Sequence, residues 1–324
     1  MEYIKINLQY FAELNTNTTL DSGLSVENKT HYDKTLIDEA APYLVHDQFG
    51  QKRPIPRNGG KEIEFRKFAA FPKALTPITE GVTPDGRKLD VTAIKATVAQ
   101  YGDYVTLSDV LDMTAIDPVV VESTQLIGRQ AGLTLDTITR NVLQSGTNVF
   151  YCPKGDGTKV ESRAGLDDTC KLSVAAVKRV AAFLKKNNAP KIDGSYVGIV
   201  HPYAAHDLMS DPEFIDITKY AASERLFEGE IGKIAGVRFV ETSEAAVIDG
   251  VYCTLIMGAN AYGVTEVEGG GLQTIIKQLG SGGTSDPLNQ RSTVGWKAIK
   301  TAEILIDAYL VRLESKSDFD IENN

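Results

Sequence analysis

The sequence predicts an α+β fold, and three observations carry that prediction. A long stretch after Asp117 has the apolar spacing of an amphipathic helix, and a shorter one follows Ser173. Short β-prone runs bounded by glycine and proline fill most of the second half. Ahead of the long helix lie two strand-like segments with no helical segment between or beside them to rest on.

Residues Leu14 to Thr30 are rich in Asn, Thr and Ser and carry few large apolar groups, so they read as an extended arm. A short helix is expected next, with Tyr32, Leu36, Ala40 and Leu44 at fourfold spacing and Gly50 closing it, although Pro42 opposes a regular helix. Lys61–Phe71 and Leu89–Leu107 then read as strands, because Ile63 and Phe65, and later Ile94, Ala96 and Val98, alternate with polar residues. Between them Pro77, Pro84 and Gly86 supply turn residues. The expected product is a two-stranded projection. Such a hairpin is marginal alone in water, so it makes physical sense when another subunit covers it.

Asp117 and Pro118 form an N-cap followed by proline at the first helical position. Ile127, Ala131, Leu135, Ile138 and Val142 make the expected apolar face of the helix that follows, and Gly146 stops it. Gly128 and Gly132 inside it each cost about 1 kcal/mol relative to alanine, which points to a neighbouring backbone passing close by. The second helix starts at Ser173, buries Val174, Val177, Ala181 and Leu184, and ends on Lys185 and Lys186, where the dipole favours cations. Strands are expected at Tyr196–Val200, Val237–Glu241, Val251–Met257, Tyr262–Val267 and Thr274–Leu279, with a short helix at Pro202–Met209. Two last β-prone segments are Ile299–Ile306 and Tyr309–Glu314. Trp296, the only tryptophan, sits in an apolar β-prone setting and is expected to be buried.

Hydrophobic residues at 42% and charged residues at 24% suit a globular core. No apolar run approaches the roughly 20 residues that cross a bilayer, so no membrane partner is expected. A formal net charge of −9 argues against dedicated DNA recognition, and is compatible with the wall of a container for DNA. Cys152, Cys170 and Cys253 form no CxxC pair and read as reduced thiols. His31, His46, His201 and His206 fit no HExxH or Cys/His cluster, so no metal is expected. GxSxG elbows and GxxxxGK[ST] phosphate loops are absent, which leaves no catalytic residue and no cofactor to name. Asp167-Asp168, and Asp109 with Asp112, read as turn and helix-cap residues.

Four blocks, KRPIPRNGGKEIEFRKF (Lys52–Phe68), LTPITEGVTPDG (Leu75–Gly86), YGDYVTLSDVLDMTAIDP (Tyr101–Pro118) and DPLNQRSTVGWKA (Asp286–Ala298), resemble the N-four-type major capsid family of tailed phages and prophages. INLQYFAE (Ile6–Glu13) is similar to the start of many capsid proteins in phages of Gram-positive bacteria. The resemblance implies the Hong Kong phage capsid fold, shared with herpesvirus capsid floors and encapsulins. It implies an N-terminal arm with a short helix over 1–55 and an extended hairpin loop over 56–110. A peripheral domain with its spine helix would take 111–168 and 288–324, and an axial domain 169–287. Leu75, Ile78, Glu80, Val82 and Arg87 would lie on a neighbouring subunit.

The implied function is self-assembly of pentamers and hexamers into an icosahedral shell, made in the bacterial host cytoplasm, that encloses double-stranded DNA without sequence-specific binding. The implied partners are further copies of the chain, a portal, and a separate scaffolding protein or none, since the hairpin is reached by Lys61 with no long helical segment before it. Lys73, Lys88 and Lys95 in the hairpin and Asn289 are the groups that a covalent cross-link would use, but exposed hairpin lysines ordinarily serve solubility, and no cross-link is expected. Two rival functions are an encapsulin-like nanocompartment shell and a hydrolase of unidentified type.

Overall fold

The computed structural model describes residues 36–40, 43–56, 58, 60–68, 71–78, 80–81, 83, 85–114, 119–215, 232–266, 270–281 and 286–320. The expected arm, Pro42, and the Asp117-Pro118 helix start lie outside them. In chain order the elements are α1 (36–40), β1 (Gln51–Lys52), β2 (Glu62–Phe68), β3 (Val91–Thr97), β4 (Ala99–Ser108), α2 (Asp109–Thr114) and α3 (Val119–Gln144). There follow β5 (Val149–Tyr151), α4 (Val174–Lys186), β6 (Tyr196–Val200), α5 (Pro202–Ser210), β7 (Lys233–Ile234) and β8 (Val237–Glu241). The last are β9 (Val247–Ile248), β10 (Val251–Met257), β11 (Tyr262–Glu266), β12 (Gln273–Lys277), β13 (Arg291–Ile304) and β14 (Leu310–Ser315).

Two sheets organise the chain. The first is built around β13, whose fourteen residues are long enough to hold β4 along one edge and both β12 and β11 along the other, with β1 outside β11. Helix α3 lies on this sheet. Its Ile127, Ala131 and Leu135 pack with Leu36 against Val294, Trp296 and Ala298, the inward alternation of β13. The second sheet runs β5-β14-β10-β6-β8-β7, with β9 also on β10. Every residue of β6 and β10 is buried, because α4 and α5 contribute to the large core on this sheet and a further core joins the two sheets. Ser173 caps α4 by accepting from the Ala176 N–H at 3.3 Å, and Val174, Val177, Ala181 and Leu184 are buried.

Four expectations are corrected. The hairpin is shorter than Lys61–Leu107: β2 pairs only with β3, from Glu62 opposite Thr97 to Phe68 opposite Val91, and β4 leaves to pair with β13. Of the two C-terminal segments, only β13 lies beneath the spine helix. β14 joins the second sheet between β10 and β5, since its nearly unbroken buried pattern needs cover on both faces. β11 and β12, within the stretch assigned to an axial domain, pair with β13 instead. Gly50 closes no helix; it admits the Tyr262 ring, which a Cβ there would meet at 2.6 Å.

Candidate assembly surfaces

The hairpin is anchored at its root and bare at its tip. Phe65, 3% exposed, packs with Ala96 and Leu305, and the guanidinium of Arg53 stands 5.8 Å over its ring. The ring lies so close to Gly263 that a Cβ there would approach it at 2.7 Å. Lys95 and Glu64 face each other across the ladder at 3.8 Å, an exposed pair worth at most about 1 kcal/mol. Among the described residues beyond Phe68 that support ends. Leu75 is 82% and Ile78 74% exposed, Leu89 and Phe71 are also exposed, and so are Glu80 and Arg87. Val82 lies outside the described residues. Lys73, Lys88 and Asn289 are exposed as well.

The spine helix is fixed by close approach. A Cβ at Gly128 would lie 2.9 Å from the carbonyl oxygen of Leu36, and one at Gly132 2.5 Å from that of Ala40, so α1 crosses α3 on these two glycines. Trp296 is 3% exposed, and its Nε1–H donates to Gln130 Oε1 at 3.3 Å. The expected apolar face holds at Ile127, Ala131 and Leu135, but Ile138 and Val142 are only half-buried. Thr139 and Leu143 take their place. Toward its C-terminus the helix leaves the first sheet: the Thr139 hydroxyl donates to Asp47 Oδ1 at 2.6 Å, and Leu143 enters the core between the sheets.

A buried polar network that sequence reasoning missed ties residues 46–47 to this helix. His46 donates its N–H to Asp136 Oδ1 at 2.7 Å, and its ring Nδ1 lies 2.6 Å from Asp136 Oδ2, both side chains fully buried. The Lys300 ammonium pairs with Asp47 and donates to the Leu135 carbonyl at 3.0 Å. Tyr262 donates its hydroxyl to the His46 carbonyl, and burial, then the nearby Asp47 carboxylate, holds its ionisation well above the usual range for a tyrosine. Only a partner 90 positions away distinguishes His46 from an ordinary histidine, and the local sequence carries no signal of it.

Three of the groups that could do chemistry have structural tasks. His201 caps α5 by accepting from the Tyr203 N–H at 3.2 Å. Asp109 accepts from the Val110 N–H at 2.8 Å, while Asp167 holds Thr169 and Lys154 and is kept below the usual carboxylate range by them. An open groove of about 810 Å³ runs across β4, β13 and β12. Its carboxylates are already engaged: Asp286 accepts from the N–H groups of Gln290 and Arg291, and Asp103 from Tyr104 N–H and Gln130. Among the described residues no group of three or more His, Cys, Asp or Glu is arranged to hold a metal, and no helix is long and apolar enough to cross a membrane. All three cysteines are buried and free.

No curated protein matches the chain. Solved structures do. The capsid of cyanophage Pam1 is 15% identical with a TM-score of 0.68, over 86% of this chain and 92% of that one. The capsid of cyanophage P-SCSP1u is 14% identical with a TM-score of 0.65, over 85% and 89%. A virus-like particle from Pyrococcus furiosus is 12% identical with a TM-score of 0.51, over 89% and 99%. These likenesses show the fold, that of the Hong Kong phage capsid. The family model described as phage capsid protein matches residues 91–308, from the outgoing strand of the hairpin through α3 to just past β13, short of β14. The chain therefore belongs to the phage capsid protein family, as a structural major capsid protein of the virion shell.

Proposed function

We propose that copies of this chain form pentamers and hexamers that close into an icosahedral shell around double-stranded DNA, and that the hairpin is the clamp between neighbours. The observation that carries the reading is the contrast along the hairpin: a root buried to 3% at Phe65 and a tip exposed to 82% at Leu75. A rigid root aims the tip, and a tip without cover in its own subunit gains by lying on another. In this reading Leu75, Ile78 and Val82 supply apolar contact, and Glu80 and Arg87 form ion pairs at its rim. The α3 sheet acts as the peripheral domain and the α4–α5 sheet as the axial domain, with Leu14–Thr30 as an adjustable arm. The DNA meets the inner wall through few contacts, in keeping with a net charge of −9. Catalysis has no part in it. A portal and a separate scaffolding protein complete the assembly in the host cytoplasm. Negative-stain microscopy of the purified chain, alone and with a scaffold, tests the proposal. Capsomers, tubes or shells are expected, and a chain that stays monomeric at high concentration under both conditions overturns it.

A further inference from the structure

After β14 a single 3₁₀ turn, Asp318–Asp320, packs back against α5. Phe319 is its apolar anchor. The ring stacks on Tyr203, with centroids 4.4 Å apart, and meets His206 edge-on at 5.0 Å. The Lys316 N–H donates to the Cys170 carbonyl at 2.9 Å, and the Phe319 N–H to Ser317 Oγ at 3.4 Å. The Lys171 ammonium holds Asp318 at 2.5 Å.

The helix side of this contact holds a carboxylate that stands apart from the others. Four carboxylates are buried among the described residues, and three of them are paired. Asp136 holds His46, Glu314 holds Arg163 and Arg312, and Asp286 accepts from two backbone N–H groups. Asp207, the fourth, has a fully buried side chain, and neither of its oxygens has a hydrogen-bond partner of good geometry. Ionised, it would retain its desolvation cost. The groups that face it are Ser317 and Asp318 from the turn and His206 from its own helix, whose Nδ1 lies 3.7 Å from Oδ1. Asp211, one turn along α5, is engaged by the Val174 N–H at 2.9 Å. Burial pushes the Asp207 carboxyl above the usual carboxylate range. The Ser317 hydroxyl offsets part of that rise, and the Asp318 charge adds to it.

We propose that residues 316–320 are a pH-sensitive latch, closed on α5 while Asp207 carries a proton and lifted when the carboxyl ionises. A neutral carboxyl can lie against the turn and can donate to it. An ionised one faces the Asp318 carboxylate, and like charges repel most where water is excluded. Lifting the turn returns Asp207 to solvent, where its ordinary value is 3.8. The lifted state therefore loses its proton at the lower pH, and closing takes a proton up. The closed turn is favoured fully below the ordinary value, and the advantage is lost as pH rises through the raised one.

Hydrogen exchange of full-chain subunits at pH 5 and pH 8, read at the Lys316 and Phe319 amides and corrected for the intrinsic effect of pH on exchange, tests it. Protection is expected to be at least about 10-fold lower at pH 8, the ratio that one unit of pKa difference supplies. Asp207→Asn keeps the shape of the neutral carboxyl and should retain at pH 8 the protection that the unaltered chain has at pH 5. His206→Gln removes the other nearby group that titrates in this range and should leave the pH dependence in place. Equal protection at both pH values in the unaltered chain overturns the latch. So does an Asp207→Asn chain that loses protection at pH 8, or a His206→Gln chain whose protection no longer changes with pH, because the proton then sits elsewhere. If Asp207→Asn does not fold, the unaltered chain and His206→Gln decide.

Discussion

His46 and Asp136 meet twice, backbone N–H to Oδ1 and ring Nδ1 to Oδ2, in a site that neither side chain shares with solvent. The pair joins the segment leading from the arm to the middle of the spine helix. Removing the imidazole strands Asp136 Oδ2, since a buried carboxylate that loses its side-chain partner retains its desolvation cost. His46→Ala is expected to destabilise the subunit by about 3–5 kcal/mol. The check is chemical denaturation, where the midpoint should fall with the slope unchanged.

Gly132→Ala tests the crossing of α1 and α3. Alanine favours the helix by about 1 kcal/mol over glycine. The added Cβ would lie 2.5 Å from the Ala40 carbonyl oxygen and 3.1 Å from the Ala40 Cα, and backbone on that side has no rotamer to move. Overpacking of this kind costs about 1–3 kcal/mol, so the clash wins. A lower melting temperature and faster proteolysis near residue 40 are expected. A more stable Gly132→Ala variant would show that the crossing yields.

Elements with local signals were legible in the sequence. Ser173 marked the start of α4, the Pro202 junction marked α5, and alternation at Ile63, Phe65, Ile94 and Ala96 marked β2 and β3. The lost information is long-range. Nothing near Val98 says that the strand changes partners there, because β13 lies almost two hundred residues later. β13 and β14 are consecutive and both β-prone, and only burial on one face or two sends them to different sheets. Residue types forecast the exposed tip, since prolines and glycines surround few apolar groups.

The thiols give a pH prediction. Burial pushes Cys152 up to about 12 and Cys253 up to about 11, from an ordinary value near 9.0. A raised thiol pKa favours the folded state while both states are protonated. That contribution is intact below pH 9 and is lost as pH rises from there toward 11–12, because the unfolded chain ionises first. Stability should fall by about 1.4 kcal/mol per pH unit for each such thiol across that window. At pH 8 the same burial should leave both cysteines unreactive to a thiol reagent until denaturant is added. Prompt labelling of native protein at Cys152 would contradict its placement.

Trp296 reports on the spine-helix core. It is buried between β13 and α3 with its indole N–H on Gln130, so its emission should be blue-shifted in folded subunits and move red on unfolding. Trp296→Ala should cost about 3–5 kcal/mol as a large-to-small core change. Gln130→Leu should cost less than that, because it leaves the packing and removes the acceptor from a buried donor, a loss of about 1–3 kcal/mol. A solvent-quenched native spectrum is the result that would remove Trp296 from the core.

Deleting the hairpin tip, Leu75 to Lys88, separates a clamp from an idle loop. The tip's Leu75 and Ile78 are exposed in the subunit, so the deletion removes little burial, and the root at Phe65, Ala96 and Leu305 is untouched. Circular dichroism and the melting temperature should therefore stay within error of the intact chain. On a neighbour, burying Leu75 and Ile78 would gain about 1.5–3 kcal/mol each before ordering costs. Glu80 and Arg87, as exposed pairs, would add at most about 1 kcal/mol each. These gains repeat at every subunit contact of a shell, so losing them at all sites together should abolish particles while weakening any one contact modestly. Sedimentation of the deleted protein beside the intact one reads the result. Folded subunits that no longer form particles mark the tip as the clamp, and particles of normal yield would assign that role to another element.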